Sequence, residues 1–194
     1  MNDFLPKNYK VPTVDGNYMK FRDGENKFRI LSPAITGWEL WIDGKPKRYK
    51  EENGVPLEDQ EKADVDEYTG EPRLAKHFMA FVVWNRNAQP KPKIQILEIT
   101  QKKVKSGINA LNRSKDWGNP VGSKGYDILV TRTKTGEKAM NVEYSIMPSP
   151  KKKLDEEILE TYKKSDISLD ALYDGDDPFT INIDIDDMEK VLDE

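Results

Sequence analysis

The chain has 194 residues, no cysteine and one histidine, with 36% hydrophobic residues, 34% charged residues and a net charge of -4. That length suits one domain with an appendage, and the missing cysteines remove disulfides, thiolate zinc sites and cysteine nucleophiles. No stretch approaches the roughly 20 apolar residues of a membrane span and no apolar run follows the first basic residues, so a soluble intracellular protein is expected.

Residues 1–25 mix Pro, Gly and Asn with scattered aromatics and read as an arm packed on the domain. From Asn26 the chain alternates, with Lys27, Arg29 and Leu31 set against Phe28, Ile30 and Ser32, which is the period of a strand with one wet face. A bend at Pro33 to Gly37 leads to WELWI, and Asp43-Gly44 marks a tight turn before KPKRYK, giving either a hairpin or one long bent strand. Residues 51–75 form an acidic, Gly/Pro-containing excursion that reads as an insertion too polar for the core. KHFMAFVVW and KIQILEI are strong strand candidates. Thr100 is placed to cap a helix through Arg113, whose stripe is Val104, Ile108 and Leu111.

After the Gly/Pro-containing residues 115–125 come strands at YDILVTR and AMNVEYSIM, the latter with Met140, Val142, Tyr144 and Ile146 on one face. Pro148 and Pro150 close a domain spanning 1–150; 151–164 read as a charged helix or linker, and 165–194 as a disordered acidic tail. Counting residues 26–49 as one bent strand, the order is strand, strand, strand, helix, strand, strand. This is the order of an OB-fold, a mainly β, five-stranded Greek-key barrel with its helix between strands 3 and 4. An α+β sandwich of another topology stays open.

The net charge conceals a split. Residues 1–150 carry 25 Lys+Arg against 20 Asp+Glu, whereas residues 151–194 carry 6 against 15. Within 51–71 nine acids meet one lysine, so the rest of the first 150 residues is strongly basic. A basic body on an acidic tail fits a nucleic-acid binder whose tail screens it or recruits partners.

Single-stranded nucleic acid requires cations that track phosphates and flat rings on which unpaired bases stack. The candidates are Trp41, Lys47, Arg48, Tyr49, Trp84, Arg86, Lys93, Trp117, Tyr126, Arg132 and Lys134. Phe28, Phe78, Phe81 and Tyr144 sit in apolar strands and read as core; for Trp41, Tyr49, Trp84 and Trp117 core and stacking roles both stay open. In the tail, Asp174, Asp176, Asp177, Phe179, Asp184, Asp186 and Asp187 combine acids with spaced apolar residues, a composition that docks in a basic groove of a partner or of the chain's own body. DGDDPF lacks calcium-loop spacing, and no P-loop, nucleophile elbow or convincing metal cluster is present, so neither an enzyme nor a cofactor or metal is expected. The excursion's carboxylates leave a magnesium-dependent nuclease as a remote reading.

The run NYMKFRDGENKFRILSPAITGWELWIDGKPKR, with VVWNRNAQPKPKIQILEITQKKVKSGINAL and WGNPVGSKGYDILVTR, resembles bacteriophage single-stranded-DNA-binding proteins of the OB-fold replication type over about residues 4–150. The resemblance implies sequence-independent ssDNA binding and protection in DNA replication, recombination and repair, in the cytoplasm of an infected bacterial host. It also implies an acidic tail that contacts replication proteins such as a polymerase, helicase or nuclease. DGDDPF is similar to the acidic Pro-Phe tip of bacterial single-strand binding proteins, but with Phe179 internal, and the zinc element of some phage relatives has no cysteines here. Two other readings remain: a strand-annealing recombination protein, and an acidic protein-interaction or DNA-mimic inhibitor.

Overall fold

Alternating and β-branched segments dominate the chain, and in a computed structural model, which describes residues 14–137 and 141–179, they form a mainly β structure. The strands are β1 (Tyr18–Met19), β2 (Gly24–Ile30), β3 (Ile35–Ile42), β4 (Lys45–Lys50), β5 (Lys76–Asn85), β6 (Lys93–Ile99), β7 (Asp127–Lys134) and β8 (Val142–Pro148). The helices are α1 (Leu57–Gln60), α2 (Lys102–Arg113), α3 (Glu156–Lys164) and α4 (Ala171–Asp174). The ladders join the eight strands in an open mixed sheet that does not close on itself. The chain divides into two compact units, one of Met1–Pro33 with Phe81–Lys153, the other of Ala34–Ala80 with Leu154–Glu194.

In the first unit the strand order is β1-β6-β5-β2-β7-β8. β2 runs antiparallel to both β5 and β7, and the register Phe28↔Ile128, Asn26↔Val130 and Ile30↔Val83 places these side chains on one face. All of them are buried, with Phe81, Ile96, Leu97 and Ile99 completing the core. The helix expected after β6 is α2, with Val104 and Ile108 buried. It lies against β8 so closely that a Cβ on Gly107 would fall 2.9 Å from the Ile146 side chain. Its N-cap is Gln101 rather than Thr100, and no side chain caps it; Thr100 lies one position too early to reach the free N–H groups of the first turn.

In the second unit the bent-strand alternative gives way to the hairpin. Asp43 (φ 52°) and Gly44 (φ 72°) both take the left-handed region, as a two-residue I′ turn requires. β3 and β4 then pair from Ile42↔Lys45 to Gly37↔Lys50, and β3 pairs with β5 on its other side. Gly37 is required there, because a Cβ would lie 2.1 Å from the Tyr49 carbonyl oxygen. The acidic excursion is anchored to this hairpin: the Asp64 N–H donates to the Trp41 carbonyl (2.8 Å), and the Arg73 N–H to the Asp64 carbonyl (2.7 Å).

At the C-terminal end the charged stretch 151–164 divides into a non-helical part and α3, and the segment after it differs from expectation. Residues 151–155 are not helical; in the first unit, the Lys152 carbonyl accepts a 2.9 Å bond from Arg29 and the Lys151 ammonium donates to the Asp116 carbonyl, which holds this stretch extended. Residues 165–179 are folded rather than a solvated tail. Leu172 is buried, the Tyr173 hydroxyl donates to the Thr36 carbonyl at 2.7 Å, and its ring lies 6.1 Å from Phe78 and under the Lys50 ammonium. Apolar spacing among the acids supplied enough burial to offset the ordering entropy. Residues 180–194, with Asp184, Asp186 and Asp187, lie outside the described residues.

Candidate nucleic-acid interface

In the first unit, period-two pleating that buries Phe28, Ile128 and Val130 turns the alternate residues to the other face. The rows Lys27↔Leu129↔Met147 and Trp84↔Arg29↔Asp127 run across that face. Asp127 organises it. Its carboxylate accepts from the buried Arg29 Nε at 2.8 Å and the Arg86 Nε at 3.1 Å, with the Lys27 ammonium at 3.9 Å. Three cations share one carboxylate, so the cluster keeps a surplus of positive charge. Arg29 is fixed beneath the surface by further bonds to the Gly122 and Lys152 carbonyls, while Lys27 and Arg86 remain partly exposed. Trp84 is half-buried beside them, and its indole Nε1 is buried without a hydrogen-bond partner among the described residues. Met147 is exposed. A ring edge, two reachable cations and an apolar strip thus share one sheet face.

The other expected residues of this unit lie elsewhere. Tyr126 is fully buried, its hydroxyl donating to the Gly118 carbonyl at 2.9 Å and its pKa raised by burial, so it is a core residue and presents no ring to a base. Trp117 packs edge-on against it at 5.2 Å. Arg132 shares the strand face of Val130 and pairs with Asp23, the Lys93 ammonium donates to the Asp15 carbonyl, and Lys134 is exposed at the end of β7.

In the second unit the pairing Trp38↔Tyr49, Leu40↔Lys47 and Trp41↔Pro46 sends Lys47 and Tyr49 to one face of the hairpin and Trp41 and Arg48 to the other. These four therefore do not form one surface. Asp59, from the excursion, accepts from both the Lys47 ammonium (2.8 Å) and the Tyr49 hydroxyl (3.0 Å). The Lys47 hydrogen bond, foremost, lowers the Asp59 pKa, while burial and then Asp59 raise that of Tyr49. On the opposite face the Arg48 guanidinium lies 3.8 Å from the Glu39 carboxylate, which also accepts from the Trp41 indole N–H at 3.1 Å. The tail carboxylates Asp174, Asp176 and Asp177 are exposed; Phe179 is half-buried, with its N–H on the Asp177 side chain.

Charge divides along the same boundary as the contacts. The first unit's segments carry 21 Lys+Arg against 9 Asp+Glu, net +12, and the second's carry 10 against 26, net -16. A cut at residue 150 leaves the hairpin cations in the basic part, whereas by contacts they belong to the acidic one. Asp127 and Asp59 are not among the residues that the sequence pattern singles out. A single acid ahead of an apolar strand, in YDILV, was the only signal for the first, and Asp59 carried none.

Among the described residues no group of three or more His, Asp or Glu is placed to hold a metal ion, and no helix is long and apolar enough to cross a membrane. No protein-family model and no curated protein matches the chain.

Proposed function

We propose that the chain binds single-stranded DNA without sequence preference, through the open sheet face of its first unit. The observation that carries this is the half-buried Trp84 sharing a strand face with the partly exposed Lys27 and Arg86, in a unit with net charge +12. Stacking is indifferent to base identity because every base has a π-face, and the cations supply the phosphate term. The order β6-β5-β2-β7-β8, with α2 between β6 and β7, supports reading this unit as an OB-type barrel opened between its third and fifth strands. Trp84 then stands on the second strand, one of the two whose face commonly receives oligonucleotides in that fold. On this reading the protein coats and protects exposed strands during replication, recombination and repair of a phage genome in the host cytoplasm. The acidic second unit, with its C-terminal segment, recruits replication proteins.

Titration with oligo-dT, read by tryptophan fluorescence, tests it. Binding should weaken steeply with salt, and Trp84→Ala should raise Kd by about 5- to 150-fold, the equivalent of roughly 1–3 kcal/mol for one stacked base. A protein with no affinity for oligo-dT, or one preferring duplex, refutes the proposal. The net charge of -16 on the second unit favours one competing reading, an acidic DNA mimic. That reading requires the whole protein to bind a DNA-binding partner in place of DNA and to ignore oligo-dT.

A further inference from the structure

The second unit leaves several large apolar side chains exposed. Tyr68 is 88% exposed and Leu74 83%, and Leu57, Val65 and Trp41 are exposed as well. Val65, Tyr68 and Leu74 belong to a loop held in a defined shape. The Asp66 carboxylate accepts from the Tyr68 and Thr69 N–H groups, which, foremost, keep its pKa low, and Val65 bridges Pro72. The Gly44 N–H donates to the Asp64 carboxylate at 3.0 Å, tying the loop to the hairpin turn. Beneath it lies a pocket of about 620 Å³, whose walls include Trp41 and Leu74, the acids Glu39, Asp66 and Glu71, and the cations Arg73 and Lys76. Arg73 stacks over Trp41 at 5.6 Å, and its Nε is buried with no acceptor among the described residues.

A rigid loop that presents large apolar side chains to water, in a unit otherwise saturated with acids, is the composition of an interaction surface. The charge selects the occupant, because a unit of net -16 repels nucleic acid and acidic segments and attracts cationic ones. We infer that this pocket docks a lysine- or arginine-rich peptide segment of a partner protein. A bulky apolar side chain would cover Trp41 and Leu74, a flanking cation would face Asp66 and Glu71, and a backbone carbonyl would satisfy the Arg73 Nε. The pocket's residues all belong to the second unit, so the inference stands whether or not the first unit's sheet face binds DNA.

The test uses the full chain and two fluorescein-labelled peptides of equal length and charge, one alternating lysine with leucine and the other lysine with serine. Wild type should bind the leucine peptide at least about tenfold more tightly than the serine peptide, since burying one leucine accounts for that ratio. The double variant Tyr68→Ser/Leu74→Ser, which leaves charge untouched, should abolish the difference while leaving oligo-dT binding unchanged. Equal affinity for the two peptides, or a variant that still discriminates them, overturns the inference. So does a variant that instead loses oligo-dT affinity, which would make the patch part of a DNA site. A variant whose mass by light scattering drops from that of wild type would assign the patch to self-association and overturn it too. Absence of oligo-dT binding by wild type would sink the proposed function and leave the peptide result intact.

Discussion

Replacing Asp127 with Asn separates the structural from the binding role of the charged cluster. The substitution keeps an oxygen that can accept from the Arg29 Nε, now at 2.8 Å, but removes the carboxylate shared by Arg29, Arg86 and Lys27. Arg29 is 1% exposed and cannot be hydrated in compensation. Breaking a buried pair from one side costs about 3–5 kcal/mol, and the retained acceptor puts Asp127→Asn near the lower end, about 3 kcal/mol. For a folding unit of roughly 100 residues this corresponds to a fall in Tm of about 12–24 °C. In the same variant the exposed Lys27 and Arg86 lose their competitor, so phosphate neutralisation at the face rises and the slope of log affinity against log salt becomes steeper by about one counterion. Calorimetry and oligo-dT titration at several salt concentrations measure both on one sample. A Tm within a few degrees of wild type, or a slope that does not steepen, would refute the assignment of Asp127 as the shared counter-ion of this face.

Two further outcomes concern the second unit. Because the folded-state pKa of Asp59 is depressed by Lys47, Tyr49 and Lys62, its contribution to stability is present above the ordinary carboxylate pKa and disappears as pH falls through the lowered folded value. Wild type should therefore exceed Asp59→Asn in urea midpoint at neutral pH and converge with it in acid; a gap independent of pH contradicts this. Tyr173→Phe should cost about 0.5–1.5 kcal/mol through loss of the bond to the Thr36 carbonyl, and Tyr173→Ala more, because the contacts with Phe78 and Lys50 go too. Limited proteolysis should then cut Tyr173→Ala between residues 165 and 179 faster than Tyr173→Phe; equal rates would show that the ring does not anchor this segment.

What could be read in advance was whatever rests on local periodicity. The apolar runs around Phe81 and Leu97 and the stripe of Val104 and Ile108 became β5, β6 and α2, and Asp43-Gly44 announced its own turn. Periodicity also separated the two faces of β2, but it could not say that Arg29, on the wet face, is buried, since that depends on the Gly122 and Lys152 carbonyls far along the chain. Tyr126 looked available beside basic and turn residues until the loop before it folded back to pair Gly118 with its hydroxyl. Lys47 and Arg48 are neighbours in sequence and opposites in space, a consequence of the pleat that a composition-based search for basic patches ignores. Asp59 and Tyr173 acquire their roles only from partners outside their own segments, so no local pattern marked them.

The division of the second unit into two stretches of chain governs the order in which a ribosome can deliver a finished fold. Its hairpin strands emerge early, but Leu154, Leu172 and Tyr173, all buried or half-buried within that unit, emerge late; Tyr173 closes onto Thr36 across 137 positions. Until then the hairpin lacks the ring that covers Phe78, and the nascent acidic unit stays incomplete while most of the basic one has been made. A chain stopped before Leu172 would be released with its second unit unfinished. Truncation that reaches Tyr173 therefore removes a structural wall of the second unit.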